Sequence, residues 1–250
     1  MKKGLVIGLC VILVVALGVG GFFVWQNLNK TPDIITPSGD DVIAEKSLSE
    51  QTVVTPVVIK QDSGTNRAVD AIFPAISSFK NKNFEDYINE QIRTVIFSYK
   101  DEISTITYEG TPSTAFYSYK ATYDKYTHGD YLSLVVSNDY QTGGIRTNTW
   151  KDTYNIDVRN ERIIYLGDIF PANVDYEKEI IDEVTKQAEA KNYILMNGLG
   201  LTKLDAKQKF YIENEKLIIY FDSAEIAPAT YGALQFEMPF TLGEDGKFSV

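Results

Sequence analysis

Ser113–Val158, STAFYSYKATYDKYTHGDYLSLVVSNDYQTGGIRTNTWKDTYNIDV, is the stretch that decides the fold. Its first part, Ser113–Tyr126, has the two-residue period of a β-strand, with one set of side chains alternating against another: Phe116, Ser118, Lys120 and Thr122 against Tyr117, Tyr119, Ala121 and Tyr123. Tyr131–Tyr140 and Ile145–Val158 predict two more strands. The turn sequences His128-Gly129-Asp130 and Gly143-Gly144 separate the three segments, so the stretch predicts an antiparallel meander with short loops.

Helices and further strands flank this meander. Thr52–Lys60 and Arg67–Ile76 predict strands, and Pro56 confines the first of them to a sheet edge. A helix begins after Asn81, because apolar residues recur at spacings of three and four: Phe84, Ile88, Ile92, Val95, Ile96 and Tyr99. A second helix is predicted over Asn173–Ala190, followed by three strands at Phe210–Ile212, Lys216–Phe221 and Ala233–Pro239. The pattern predicts an α+β fold, an antiparallel sheet with two packed helices, dividing near residue 165.

Gly4–Trp25, GLVIGLCVILVVALGVGGFFVW, contains no charged residue. A helix of this length spans about 33 Å, the thickness of a bilayer core. Lys2 and Lys3 precede it, which predicts a cytoplasmic N-terminus and an exported remainder. We therefore expect a cytoplasmic stub and transmembrane anchor over residues 1–25 and a flexible linker over residues 26–51. The alternative is secretion after signal cleavage. The three residues before the anchor predict no cytoplasmic domain.

The exported part is acidic and contains no cysteine. The whole chain has 24 basic and 34 acidic residues, and without Lys2 and Lys3 the basic count is 22, a formal net charge of −12. This charge argues against nucleic acid as a partner and favours a basic partner or cations. The single cysteine, Cys10, lies in the anchor, so no disulfide is expected. A hydrophobic core must then supply the stability of the exported domain.

The residue types give no catalytic constellation. His128 is the only histidine and lies in a predicted turn, so neither a nucleophile–histidine pair nor a zinc cluster is available. We predict no catalytic residue, cofactor or metal ligand, and a protein that is not an enzyme. Acidic residues leave one alternative open, a wall hydrolase using two carboxylates among Asp152, Asp157, Asp168, Asp222, Glu225 and Glu237.

Two predicted loops carry the candidate partner-binding residues. Arg146 and Trp150 follow the paired glycines, and Asp222, Glu225 and Tyr231 lie in the loop after Lys216–Phe221. Aromatic and charged side chains on loops are suited to docking a basic protein. The alternative for Trp150 and Tyr231 is that they fill a core.

Three segments carry a family resemblance: Tyr140–Val158 with YQTGGIRTNTW and TYNIDV, Ile164–Phe170 with IYLGDIF, and Phe210–Pro239 with SAEIAPATYG. Together they resemble the paired domain-of-unknown-function families 4163 and 3298. These families occur in the extracytoplasmic part of RsiV-type, lysozyme-sensing anti-sigma factors and beside the catalytic domain of PdaC-type peptidoglycan deacetylases. The resemblance implies a 4163-like subdomain over residues 52–165 and a 3298-like subdomain over residues 166–250.

The chain departs from the family in two ways. The family commonly has a histidine shortly after the paired glycines, whereas this chain has Ile145 and Arg146 there. Three residues before the anchor are also too few for a sigma-binding segment, and with a single histidine we expect no deacetylase domain. We therefore expect a single-pass, outward-facing binding or sensor-type protein of a bacterial envelope without its own signalling domain. The resemblance implies lysozyme-type muramidase or peptidoglycan as partner, and a structural envelope protein remains a further alternative.

Overall fold

The computed structural model describes residues 46–62, 66–106, 114–144, 147–196, 201–243 and 245–250. The predicted anchor at residues 4–25, most of the predicted linker, and Arg146 lie outside these ranges. Within them, no helix combines the length and the apolar character that a membrane crossing requires.

A six-stranded sheet contains the predicted meander. Its strands lie side by side in chain order: β1 Val54–Asp62, β2 Arg67–Ile76, β3 Tyr117–His128, β4 Tyr131–Thr142, β5 Asn148–Asp157 and β6 Arg162–Ile163. All neighbours pair antiparallel except β2 and β3, which are parallel. The prediction of a wholly antiparallel sheet is therefore wrong. The helix α2, Lys82–Thr105, forms a crossover between β2 and β3, and such a crossover returns the chain in the same direction.

Strand β1 lies at the edge of this sheet, as Pro56 predicts. Pro56 faces Pro74 on β2, and the backbone N–H of Ser77 donates to the carbonyl of Val53. In this register the odd-numbered residues of β1 bond to β2, so Pro56 is at a position whose backbone points away from β2. A proline is tolerated there because no ladder hydrogen bond is lost.

Helix α2 begins where the sequence predicts. The Asn81 side chain accepts a hydrogen bond from the backbone N–H of Phe84, which satisfies one of the free donors of the first turn. The apolar face of the helix is buried in the first core through Ile88, Ile92, Ile96 and Ile103. The cap at Asn81 therefore fixes where the helix begins, and the apolar period fixes which face packs against the core.

A short helix, α1 (Leu48–Gln51), lies within the segment that the sequence assigned to the linker. Ser47 and Glu50 form a capping box. The backbone N–H and the hydroxyl of Ser49 both donate to the carbonyl of Gly129, at 3.1 and 2.9 Å. Packing against the β3–β4 turn therefore orders residues that precede β1, and residues 46–250 form one compact unit.

The remaining elements build a second core. They are a 3₁₀ turn at Leu166–Ile169, α3 Tyr176–Ala190, β7 Phe210–Glu213, β8 Lys216–Phe221, a 3₁₀ turn at Ala229–Tyr231, β9 Leu234–Glu237, β10 Thr241–Leu242 and β11 Phe248–Ser249. Strands β7, β8 and β9 form an antiparallel sheet, and β10 pairs with β11. Helix α3 begins later than predicted, because the Asp175 side chain caps it.

Buried apolar residues form one cluster within residues 69–158 and another within residues 164–248. Ser133 and Asn155, both buried, join the two parts. The backbone N–H of Ile212 donates to the Ser133 hydroxyl, and the Asn155 amide donates to the carbonyl of Phe210. Side chains of the first sheet thus form hydrogen bonds with the backbone groups on the outer edge of β7. The α+β class is confirmed, while the division into subdomains at residue 165 stays a prediction.

Candidate functional site

A chain of charged side chains connects the two sheets near the candidate loop. Lys209, just before β7, places its Nζ 2.6 Å from Asp222 Oδ2 and 3.7 Å from Asp152 Oδ1. Asp152 lies on β5 of the first sheet, and Asp222 is the first residue after β8 of the second sheet. A single ammonium group therefore bridges two carboxylates from different sheets.

Asp152 is held by the first sheet. Its Oδ2 accepts hydrogen bonds from Asn138 Nδ2 at 3.0 Å and from Trp150 Nε1 at 3.2 Å, and the Tyr119 hydroxyl donates to Asn138 Oδ1 at 2.7 Å. Desolvation by burial raises the pKa of the Asp152 carboxyl above its ordinary value, although Lys209 and the hydrogen bonds oppose this shift. The folded protein therefore bears a cost for keeping Asp152 ionised.

Trp150 lies in an aromatic cluster above this carboxylate. Its ring centroid is 4.8 Å from that of Tyr99 on α2 and 6.4 Å from that of Tyr140. Tyr99 also contacts Tyr119, at 5.3 Å. Trp150 is half-buried and packs against the first core. The packing agrees with the core alternative for Trp150, its indole N–H also binds Asp152, and a role in partner binding stays a prediction.

The turn Asp222–Glu225 connects this network to the surface. Glu225 Oε2 accepts a hydrogen bond from the backbone N–H of Asp222 at 2.6 Å, and the Glu225 N–H donates back to the Asp222 carbonyl. Desolvation, with the nearby charge of Asp222, raises the pKa of Glu225. Asp222 Oδ1 is buried and has no hydrogen-bond partner among the described residues. The charge of this acidic turn is balanced by Lys209.

Tyr231 lies at the far end of the same loop and outside this network. It forms part of the 3₁₀ turn Ala229–Tyr231, and its ring packs 5.1 Å from Tyr193 at the margin of the second core. The structure therefore joins three of the five candidate residues, Trp150, Asp222 and Glu225, in one network. Lys209 completes that network, and the sequence offers no signal that marks it among the other lysines.

The same geometry bears on the hydrolase alternative. A glycosidase needs two carboxyl groups that face a cleft with room for a sugar ring and water. Here Asp152 and Asp222 both contact the ammonium of Lys209, which fills the space between them. The pair is arranged as an ion bridge and not as an open acid–base pair. His128 lies elsewhere, with Nδ1 3.5 Å from Glu215 Oε1.

Solved structures first establish the class of fold. The chain superimposes on the crystal structure of a DUF3298 family member from Bacteroides fragilis with a TM-score of 0.53 and 14% sequence identity, covering 75% of this chain and 90% of that one. A DUF3298 family protein from Pseudomonas aeruginosa PAO1 gives a TM-score of 0.53 at 12% identity, covering 77% and 93%. At these identities the likeness shows a shared fold.

Sequence comparison then adds a family and a relative. Residues 167–241 match the model of the family described as "Protein of unknown function (DUF3298)". The chain is similar to "Anti-sigma-V factor RsiV" of Bacillus subtilis (strain 168), with 27% identity over 197 residues, covering 74% of this chain and 67% of that protein. The predicted resemblance to family 3298 is thus supported for the C-terminal part. The predicted resemblance to family 4163 stays a prediction.

Proposed function

We propose that this chain is a membrane-anchored extracytoplasmic binding protein of sensor type that recognises a basic muramidase of the lysozyme class. The observation that carries the proposal is the similarity to an anti-sigma factor along three quarters of the chain. The family resemblance supplies the muramidase, and the predicted anchor at residues 4–25 supplies the membrane attachment.

The loop Asp222–Gly232 is the proposed contact surface. Its exposed residues include Ser223, Ala224 and Glu225 at one end and Pro228, Ala229 and Thr230 at the other. Between them, Ile226 and Ala227 are buried in the second core. The loop thus presents two exposed segments on a fixed base, and preorganisation of this kind lowers the entropy cost of binding.

Charge favours the same class of partner. The chain has a formal net charge of −10 and a pI near 4.7, so its field attracts a basic protein over the range of the Debye length. That length falls from about 30 Å at about 0.01 M salt to about 3 Å at about 1 M. Binding driven by such attraction must weaken as salt increases.

Calorimetry on soluble residues 46–250 tests the proposal, because this range forms one compact unit. We would titrate it with a c-type lysozyme at low and high salt. We expect saturable binding that weakens with salt. Absence of binding at both salt concentrations would remove the lysozyme partner, and peptidoglycan fragments would be titrated next.

Loop variants then test the surface. Thr230→Lys adds a positive charge at an exposed position, and Glu225→Lys replaces a negative charge with a positive one. Each should weaken lysozyme binding roughly tenfold, about 1.4 kcal/mol. Glu90→Lys makes the same reversal at an exposed position of α2 and should leave affinity within about twofold. Equal affinities for all three variants would place the contact elsewhere.

A further inference from the structure

Lys209 lies where the two sheets and the loop meet. Its backbone carbonyl accepts a hydrogen bond from the N–H of Tyr220 on β8, and its Nζ lies 5.9 Å from the centroid of the Tyr220 ring. The side chain is only partly exposed, at 28%. Contacts with β8 therefore direct the ammonium towards Asp222 and Asp152.

The two carboxylates differ in what holds them. Asp152 is fixed by Asn138 and Trp150 and belongs to the first sheet. Asp222 starts the turn that carries Glu225 and forms a salt bridge with Lys209. Lys209 therefore links a strand of the first sheet to the first residue of a surface loop.

We propose that Lys209 is the positioning residue that holds the Asp222–Glu225 turn, and through it the partner-binding loop, in its binding conformation. The inference rests on the proposed function for its biological meaning, but its structural part does not depend on a partner. Without Lys209, two partly buried carboxylates would face each other with no cation between them, and a buried charge left unpaired is strongly unfavourable.

This arrangement makes the effect of losing Lys209 dependent on pH. The titratable groups around Asp152 are Asp222 on the loop, Tyr99 on α2, Tyr119 on β3, Tyr154 on β5 and Tyr220 on β8, with Glu225 beyond Asp222. Lys209 lowers the pKa of Asp152, so its removal raises that pKa further above the ordinary value. Asp152 then takes up a proton as the pH falls, and because the neutral carboxyl no longer repels the Asp222 carboxylate, the repulsion between the two groups disappears.

Hydrogen exchange of the loop amides in residues 46–250, without any partner, tests the structural part. In Lys209→Met, we expect exchange at residues 222–226 to become at least about tenfold faster than in the parent protein. Lys209→Arg keeps the charge and should restore slow exchange. Lys216→Met is the matched control, because Lys216 makes an exposed salt bridge with Glu237 in the same sheet, and it should leave the loop unchanged.

Charge repair separates positioning from a general loss of stability. Adding Asp152→Asn to Lys209→Met removes the repelling charge and should recover most of the lost protection. Acidification through the raised pKa of Asp152 should do the same in the single variant. Loop exchange that is unchanged in Lys209→Met, or that neither change repairs, would overturn the inference.

Lysozyme titration then completes the test. If the loop loosens in Lys209→Met and affinity falls in parallel, both proposals stand. If the loop loosens but the parent protein does not bind lysozyme, the positioning role stands and the proposed function fails. If the parent binds and the loop remains ordered in Lys209→Met, the positioning role fails alone.

Discussion

Replacing Asn155 with alanine tests how the two parts of the domain are held together. The Asn155 side chain accepts a hydrogen bond from the Ser133 hydroxyl at 2.7 Å and donates one to the carbonyl of Phe210 at 2.7 Å. Ser133 in turn accepts from the N–H of Ile212 at 3.1 Å. All of these contacts are buried, so alanine would leave the Ser133 hydroxyl proton and the Phe210 carbonyl without their hydrogen-bond partner, and water does not reach them.

The expected loss follows from these contacts. Each of the two hydrogen bonds contributes about 1 kcal/mol, and the unpaired carbonyl of Phe210 adds a desolvation cost of about 1–3 kcal/mol. We expect Asn155→Ala to lower the free energy of unfolding by about 3–5 kcal/mol. This is a large part of the 5–15 kcal/mol that is usual for a domain.

Urea unfolding of residues 46–250 would measure this loss, with Asn83→Ala as the control. Asn83 is exposed on α2, so its replacement should change stability by less than about 0.5 kcal/mol. Combining Asn155→Ala with Ser133→Ala should cost less than the sum of the single changes, since both act in one network. A loss below about 1 kcal/mol for Asn155→Ala would refute the view that this network joins the sheets.

Three further changes have defined outcomes. Burial raises the pKa of Asp152, so the stability that its bound proton provides is present at low pH and is lost as the pH rises through the raised pKa. Urea unfolding at several pH values should therefore show this loss in the parent protein and not in Asp152→Asn. Asn81→Ala removes the cap on the Phe84 N–H and should cost about 1 kcal/mol by thermal or urea unfolding. Tyr131→Phe removes the 2.6 Å hydrogen bond to the Gly246 carbonyl and should cost about 1 kcal/mol, with faster hydrogen exchange in β11.

Local patterns predicted most elements. The period of α2 and its cap at Asn81 come from neighbouring residues, and β2 has the predicted bounds, Arg67–Ile76. The parallel pairing of β2 with β3 depends on the crossover of α2, which an alternation pattern does not encode. Helix α1 has too few residues to show a period, although Ser47 and Glu50 carry the signature of a capping box.

The candidate site was less predictable. Trp150, Asp222 and Glu225 stand out because aromatic and acidic residues flank predicted turns. Their connection depends on Lys209 reaching Asp152, which is a tertiary contact between residues far apart in the chain. Spacing rules describe neighbours within one helix or strand, so no such rule could have joined Lys209 to Asp152.

Hydrogen exchange of residues 46–250 with and without lysozyme is the most direct test of the proposed function. We predict that bound lysozyme slows exchange at residues 222–232 and leaves exchange in β1, an edge strand of the first sheet, unaffected. Protection of β1 with no change at residues 222–232 would contradict it, as would an exchange pattern that lysozyme leaves unaltered at every described residue.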